Sequence, residues 1–176
     1  MRNAIQIAQS WIDSGKYVES AGPNRGPAVD ALEREFGLIG QPWCGMYACG
    51  AGHEALKEGA QGDPWPMIAG SQALLAWFRE RDLVSADPQD VLDWLGALAI
   101  RTDPGGLHGH VVMLAQRRVA AAKILAFYTC EGNTDKDGGR NGDRAWNHLR
   151  AVPLPGVWHY CRTDGLAGGD WWRKAA

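Results

Sequence analysis

Near residue 96 the apolar residues of this chain change their spacing, and that change limits what the chain can fold into. Before it, they recur at helical intervals. Ile5, Ala8, Trp11 and Ile12 share one helical face, and Asp13-Ser14-Gly15 supplies a stop. A polar loop from Glu19 to Gly26 leads to Pro27, which suits a first helical turn because its missing N–H has no partner there anyway. Val29, Leu32 and Phe36 continue that helix until Gly37. Gln41-Pro42-Trp43-Cys44 then opens a segment in which Cys44, Tyr47, Ala48, Ala51 and Ala55 fall on one stripe. Ser71 is expected to cap a helix presenting Leu74, Trp77 and Phe78, and Asp87-Pro88 to cap another.

After the change come short apolar runs at 98–100, 111–114, 124–130 and 157–161, separated by Gly, Pro, Asp or basic residues. These read as strands. The connections between them are too short for crossover helices, so the expected architecture is α+β, with N-terminal helices packed on a mainly antiparallel sheet.

A length of 176 residues with 45% hydrophobic content suits one domain with one core. A formal charge of -2 gives no electrostatic reason to expect a nucleic-acid partner. The apolar runs fall short of the roughly 20 residues a membrane span needs, and Met1-Arg2-Asn3 opens no signal-peptide core. The chain is therefore expected to be made as a soluble protein that acts as a monomer. Neither a repeat nor a linker is evident, and the Gly-rich stretches are confined to 132–142 and 165–169. The nine Trp, spread from Trp11 to Trp172, fit a core with some exposed aromatic surface better than one stacking platform.

Four cysteines without a Cys-x-x-Cys pair do not make a disulfide framework, so a special cysteine must be special chemically. Cys44 stands at a helix start, near the positive end of the helix dipole and beside backbone N–H groups that lack helical partners. Gly45 and Ala48 are small enough to leave room for a substrate carbonyl, and the Cys44 N–H is placed to hold an oxyanion. An inert buried thiol fits the same position. Lowering a thiol pKa from about 8.5 to about 6 raises the thiolate fraction at neutral pH about thirtyfold. The accompanying loss of nucleophilicity removes roughly tenfold. The helix end alone is therefore insufficient, and a histidine that positions the thiol and protonates a leaving amine is required.

Of His53, His108, His110, His148 and His159, His110 begins the strand Gly109-His110-Val111-Val112 and is the expected base. His108 has the same parity, but Gly105-Gly106 before it suggests a loop. The following strand ends in Glu131-Gly132-Asn133, where a carboxylate can accept the other ring N–H and Asn133 can help hold the ring or bind substrate. Asn133 to Gly138 resembles a calcium loop, but its twelfth position is Arg144, not a bidentate acid. A zinc site from His108, His110 and Glu131 is the metal-dependent alternative.

Taken in order, Asn24-Arg25-Gly26-Pro27, Pro42-Trp43-Cys44, Gly109-His110-Val111 and Glu131-Gly132-Asn133-Thr134 resemble the CHAP family of cysteine- and histidine-dependent amidohydrolases and peptidases, over roughly residues 16–162. The resemblance implies a papain-like fold, Cys44 as nucleophile, His110 as base and acid, Glu131 as third member and Asn133 as a fourth polar contributor. It implies no cofactor, and a substrate lined by Gln41, Trp43 and His108. Members of the family mostly cleave peptidoglycan, at the N-acetylmuramoyl-L-alanine amide or within the peptide stem, and phage lysins are typical carriers. Gly96-Ala97 departs from the Gly-Asp pair that often enters the first strand in the family. No repeat-based wall-binding module flanks the domain, and the tail at 163–176 is expected either to dock on the domain or to touch the wall. Without a leader, the chain is expected to reach the wall by release through a lesion or by injection. A non-catalytic wall-binding or virion structural domain is the alternative from a different class.

Overall fold

The computed structural model describes residues 2–91, 96–103, 105, 109–121, 123–139, 141–152, 157–163 and 165–167. Four helices precede all the named strands: α1 (Ala4–Asp13), α2 (Pro27–Glu35), α3 (Cys44–Lys57) and α4 (Ser71–Arg79). The strands are β1 (Val84–Ser85), β2 (Leu98–Thr102), β3 (Gly109–Ala120), β4 (Lys123–Thr134), β5 (Arg144–Ala151) and β6 (Val157–Cys161). They form one sheet in the order β1-β6-β2-β3-β4-β5, with every pairing antiparallel. The α+β class with N-terminal helices is therefore the observed one.

The helices start and stop for local reasons. Asn3 caps α1 through a reciprocal bond with Gln6, its side chain accepting from the Gln6 N–H at 2.8 Å while Gln6 accepts from the Asn3 N–H at 3.1 Å. Pro27 opens α2 as expected. Ser71 does not cap α4; it is the first helical residue, and Gly70 precedes it without a side-chain cap. At Asp87-Pro88 the expected helix is a single 3₁₀ turn, Pro88–Val91, with Asp87 accepting from the Gln89 N–H at 2.8 Å.

Alternation divides the sheet into two faces. Leu98, Ile100, Val111, Met113, Cys130 and Cys161 pack with the helices in the main core. Ala97, Ala99, Val112, Leu114, Phe127, Trp158 and Tyr160 form a smaller core on the opposite face. The central helix is α3, buried without interruption from Cys44 to Gly52. Beyond β5 the edge is extended by Tyr17 to Glu19: Val18 bridges Arg144, and the Glu19 N–H donates to Asp143 O at 2.7 Å.

The first residues of the C-terminal tail dock on the domain. Asp63 N–H donates to Gly165 O, Ala167 N–H to Asp63 O, and the buried Trp65 indole to Ala167 O at 2.9 Å. The rest of the tail, 168–176, lies outside the described residues. Among the described residues no helix is long and apolar enough to cross a membrane.

Candidate active site

Everything around Cys44 fixes the start of α3. Glu33, fully buried on α2, accepts the Gly40 N–H at 2.7 Å and the Gln41 N–H at 2.8 Å, and so ties down the loop that delivers the helix. Trp43, also fully buried, donates its indole N–H to Glu19 at 2.9 Å and packs with Tyr17 and Tyr47. The Tyr47 hydroxyl donates to Ala8 O at 2.6 Å. Since Trp43 offers no side-chain cap, the first-turn amides of α3 remain free for other acceptors, and that of Gly45 turns to the Cys44 sulfur.

The other half of the site comes from an opening between two strands. Leu114 N–H donates to Ala97 O and Leu114 O accepts from Gly96, so up to Leu114 the even-numbered residues of β3 direct their backbone groups to β2 and the odd-numbered ones to β4. The β3–β4 ladder begins at Met113 opposite Cys130. Val111, two residues earlier, directs its N–H toward β4 beyond the end of that ladder, and the Cys44 sulfur accepts it. His110 and Glu131 stand at the same opening. His110 Nε2 lies 2.9 Å from Glu131 Oε2. That contact leaves Nδ1, which is buried without an oxygen or nitrogen partner, as the ring atom for the thiol with which His110 interacts. Cys44 keeps 6% of its surface accessible and His110 2%, so the pair is enclosed.

Close approach at this opening depends on two glycines. A Cβ at Gly132 would lie 2.5 Å from Tyr47 Cβ and 2.8 Å from the Trp43 ring, so a larger residue would push α3 away from the strand carrying Glu131. A Cβ at Gly45 would lie 2.2 Å from Ala69 O. The space beside Gly45, expected to receive a substrate carbonyl, is thus already filled by the Ala69 carbonyl.

Glu131 is fully buried and saturated with donors. Arg150 Nε donates to Oε1 at 2.6 Å and Arg150 Nη2 to Oε2 at 2.5 Å; the Thr129 hydroxyl donates to Oε1 at 2.5 Å. Burial works against its charge, but Arg150 and then His110 outweigh it and hold the carboxyl at about 2. At His110 burial favours the neutral ring, while the bonds to Cys44 and Glu131 prevail and raise its pKa to about 9. Burial pushes the Cys44 thiol up, yet the His110 contact and the Val111 and Gly45 amides bring it below its ordinary value. Cys49, Cys130 and Cys161, equally buried, are each pushed up to about 12. The pair therefore favours thiolate with imidazolium, and its titration belongs to both groups together.

The remaining expected site residues fall differently. Asn133 leaves the strand alternation: it sits at φ 52° in an irregularity between Glu131 and Thr134, and its amide donates to Asn24 Oδ1 at 2.5 Å. It thereby supports the 19–26 loop. Trp43 has no exposed surface to offer a substrate, because it is packed into the core beside Tyr17 and Tyr47. Gln41 is exposed next to the site. His108 lies outside the described residues. The zinc alternative needs Glu131 as a ligand, whereas a guanidinium occupies both of its oxygens. Within the Asn133 to Gly138 loop, Asp135 accepts the Asp137 and Gly139 N–H groups at 2.8 and 2.9 Å, which makes it a turn-forming residue.

Arg150, Thr129, Glu19 and Glu33 were not among the expected site residues. Thr129 shares strand parity with Glu131 and was discoverable by that rule. No spacing links Arg150 to Glu131 or Glu19 to Trp43. No family model, curated protein or solved structure matches this chain.

Proposed function

We propose that this chain is a papain-like cysteine hydrolase of peptidoglycan amide bonds that works through a thioester. The observation that carries the proposal is the continuous line Cys44, His110, Glu131, Arg150, in which alternating charges meet at a helix start. The residue resemblance described above supplies the substrate class, and through it an N-acetylmuramoyl-L-alanine or stem-peptide amide.

In this reading the Cys44 thiolate attacks the carbonyl carbon, and the Cys44 backbone N–H at the α3 terminus holds the developing oxyanion. His110 gives its Nδ1 proton to the leaving amine as the C–N bond breaks, leaving an acyl group on sulfur. A water then loses a proton to Nδ1 and attacks the thioester, releasing the acid and restoring the thiolate–imidazolium pair. Glu131 keeps the ring's orientation and stabilises its charge throughout, and Arg150 keeps Glu131 ionised. Delivery to the wall after release through a membrane lesion, as for a phage lysin, belongs to the same proposal.

Purified cell walls incubated with the protein are expected to clear and to yield new amino groups. Cys44→Ala is expected to do neither, and clearing that persists in this variant would overturn the proposal. Mass spectrometry of the released muropeptides identifies which amide is cut.

A further inference from the structure

Two guanidiniums stand on the sheet face that carries His110 and Glu131, and they are in opposite conditions. Arg150 is committed: it grips both oxygens of Glu131. Arg101 is not. It lies on β2 directly opposite His110 in the ladder, so its Cβ and that of the base are neighbours about 5 Å apart on the same face. On its other side it pairs with Trp158, whose ring has the Arg150 guanidinium 5.9 Å from its centre. Asp103 Oδ1 approaches Arg101 Nε at 3.3 Å but off the N–H direction, so Nε is buried without an aligned hydrogen bond. The Arg101 side chain is 29% accessible, enough for its outer nitrogens to be met from solvent.

A planar cation with an unfilled donor, held on a rigid strand beside the proton-transferring ring, has the geometry for a carboxylate, which guanidinium binds through paired N–H groups. We propose that Arg101 is a substrate-recognition residue that binds a carboxylate of the acyl-peptide next to the scissile amide, with Asp103 as the weak resident partner it displaces. This deepens the hydrolase reading and rests on it: it selects stem peptides with a free carboxylate near the cleaved bond over their amidated counterparts.

Alkylation of Cys44 tests this without needing the natural substrate. Iodoacetate and iodoacetamide react identically at sulfur: the thiolate displaces iodide, an S–C bond forms and the C–I bond breaks. Only iodoacetate carries a carboxylate, so the ratio of the two rates at neutral pH reads the anion preference, with the neutral reagent as reference for thiolate reactivity. The Arg101→Gln variant is expected to lower that ratio by about tenfold, the effect of one nearby charge at intermediate dielectric, and Arg101→Lys to restore part of it. An unchanged ratio, or an equal loss with both reagents, would overturn the assignment. Slow alkylation of the parent protein by both reagents would instead fell the nucleophile itself, and the carboxylate site with it.

Discussion

The first and second turns of α3 each bury a thiol, and the two thiols are driven in opposite directions. Cys49, five residues beyond Cys44, meets the Ile68 carbonyl and is pushed up to about 12 by burial. Cys44 is enclosed by the same helix and the same core, yet its pKa falls because His110 and two backbone amides outweigh the same burial. Burial alone makes a cysteine inert; a terminal position facing a paired imidazole makes it a nucleophile.

The strongest way to break that comparison is to remove each sulfur in turn. Cys44→Ala is expected to lower amide hydrolysis by at least about 10⁴-fold, as for other single deletions of a nucleophile. Cys49→Ala is expected to retain the rate within about threefold, and initial rates of amine release would decide. Comparable losses in both variants would erase the distinction.

Arg150→Met sharpens it from the other end of the charge line. Breaking a buried ion pair from one side costs about 3–5 kcal/mol, to be read as a lower denaturation midpoint. Activity is expected to fall about a hundredfold, with the acid limb of the rate profile moving to higher pH as Glu131 loses the partner that holds it at about 2. A variant that loses stability while its pH profile stays unchanged would leave Arg150 a purely structural residue.

A smaller effect concerns stability against pH. The raised His110 pKa contributes stability that is full below 6.5 and lost as pH rises to about 9. Depression of the Cys44 pKa acts oppositely: its contribution is full above the ordinary value of 9.0 and is lost as pH falls toward the folded value. Where the two windows overlap, between the folded Cys44 value and 9, they offset, so this pair should flatten the dependence of Tm on pH there. In Cys44→Ser both the thiolate contribution and its raising effect on the ring are gone, so the slope of Tm against pH should differ from that of the parent protein. Equal slopes in the two proteins, measured by calorimetry, would contradict the ion-pair assignment.

The smallest expected effect is that of Glu19→Gln. It weakens the bond to the Trp43 indole, a charge-assisted contact worth about 1.5–3 kcal/mol. The rate should fall several-fold with a change in tryptophan fluorescence. An unchanged emission spectrum would show that Glu19 does not hold the residue before the nucleophile.

How much of this was legible in the sequence follows from where each residue sits. Cys44, His110 and Glu131 occupy a helix start, a strand start and a strand end, where period and punctuation give position directly. The expected alignment of Asn133 with Glu131 fails because parity presumes a regular strand, and the irregularity after Glu131 breaks it. The strand β5 escaped notice because Arg144–Ala151 is an outer strand mostly open to solvent, with Ala145 its buried apolar residue. Arg150 was hidden with it, since long side chains meet by register, not by interval along the chain. Ser71 failed as a cap because the helix had already begun with it.

The amide of Val111 is spent on sulfur instead of on a carbonyl across the ladder. One rung of the sheet is therefore left out, and the proposed chemistry occupies its place. Substitutions that zip β3 and β4 further together would make a more regular scaffold and take from the Cys44 sulfur the amide it accepts. Hardening this protein without cost belongs at the inner rungs of the β2–β6 seam, Leu98 with Cys161 and Ala99 with Tyr160, which are already closed and exclude Arg101.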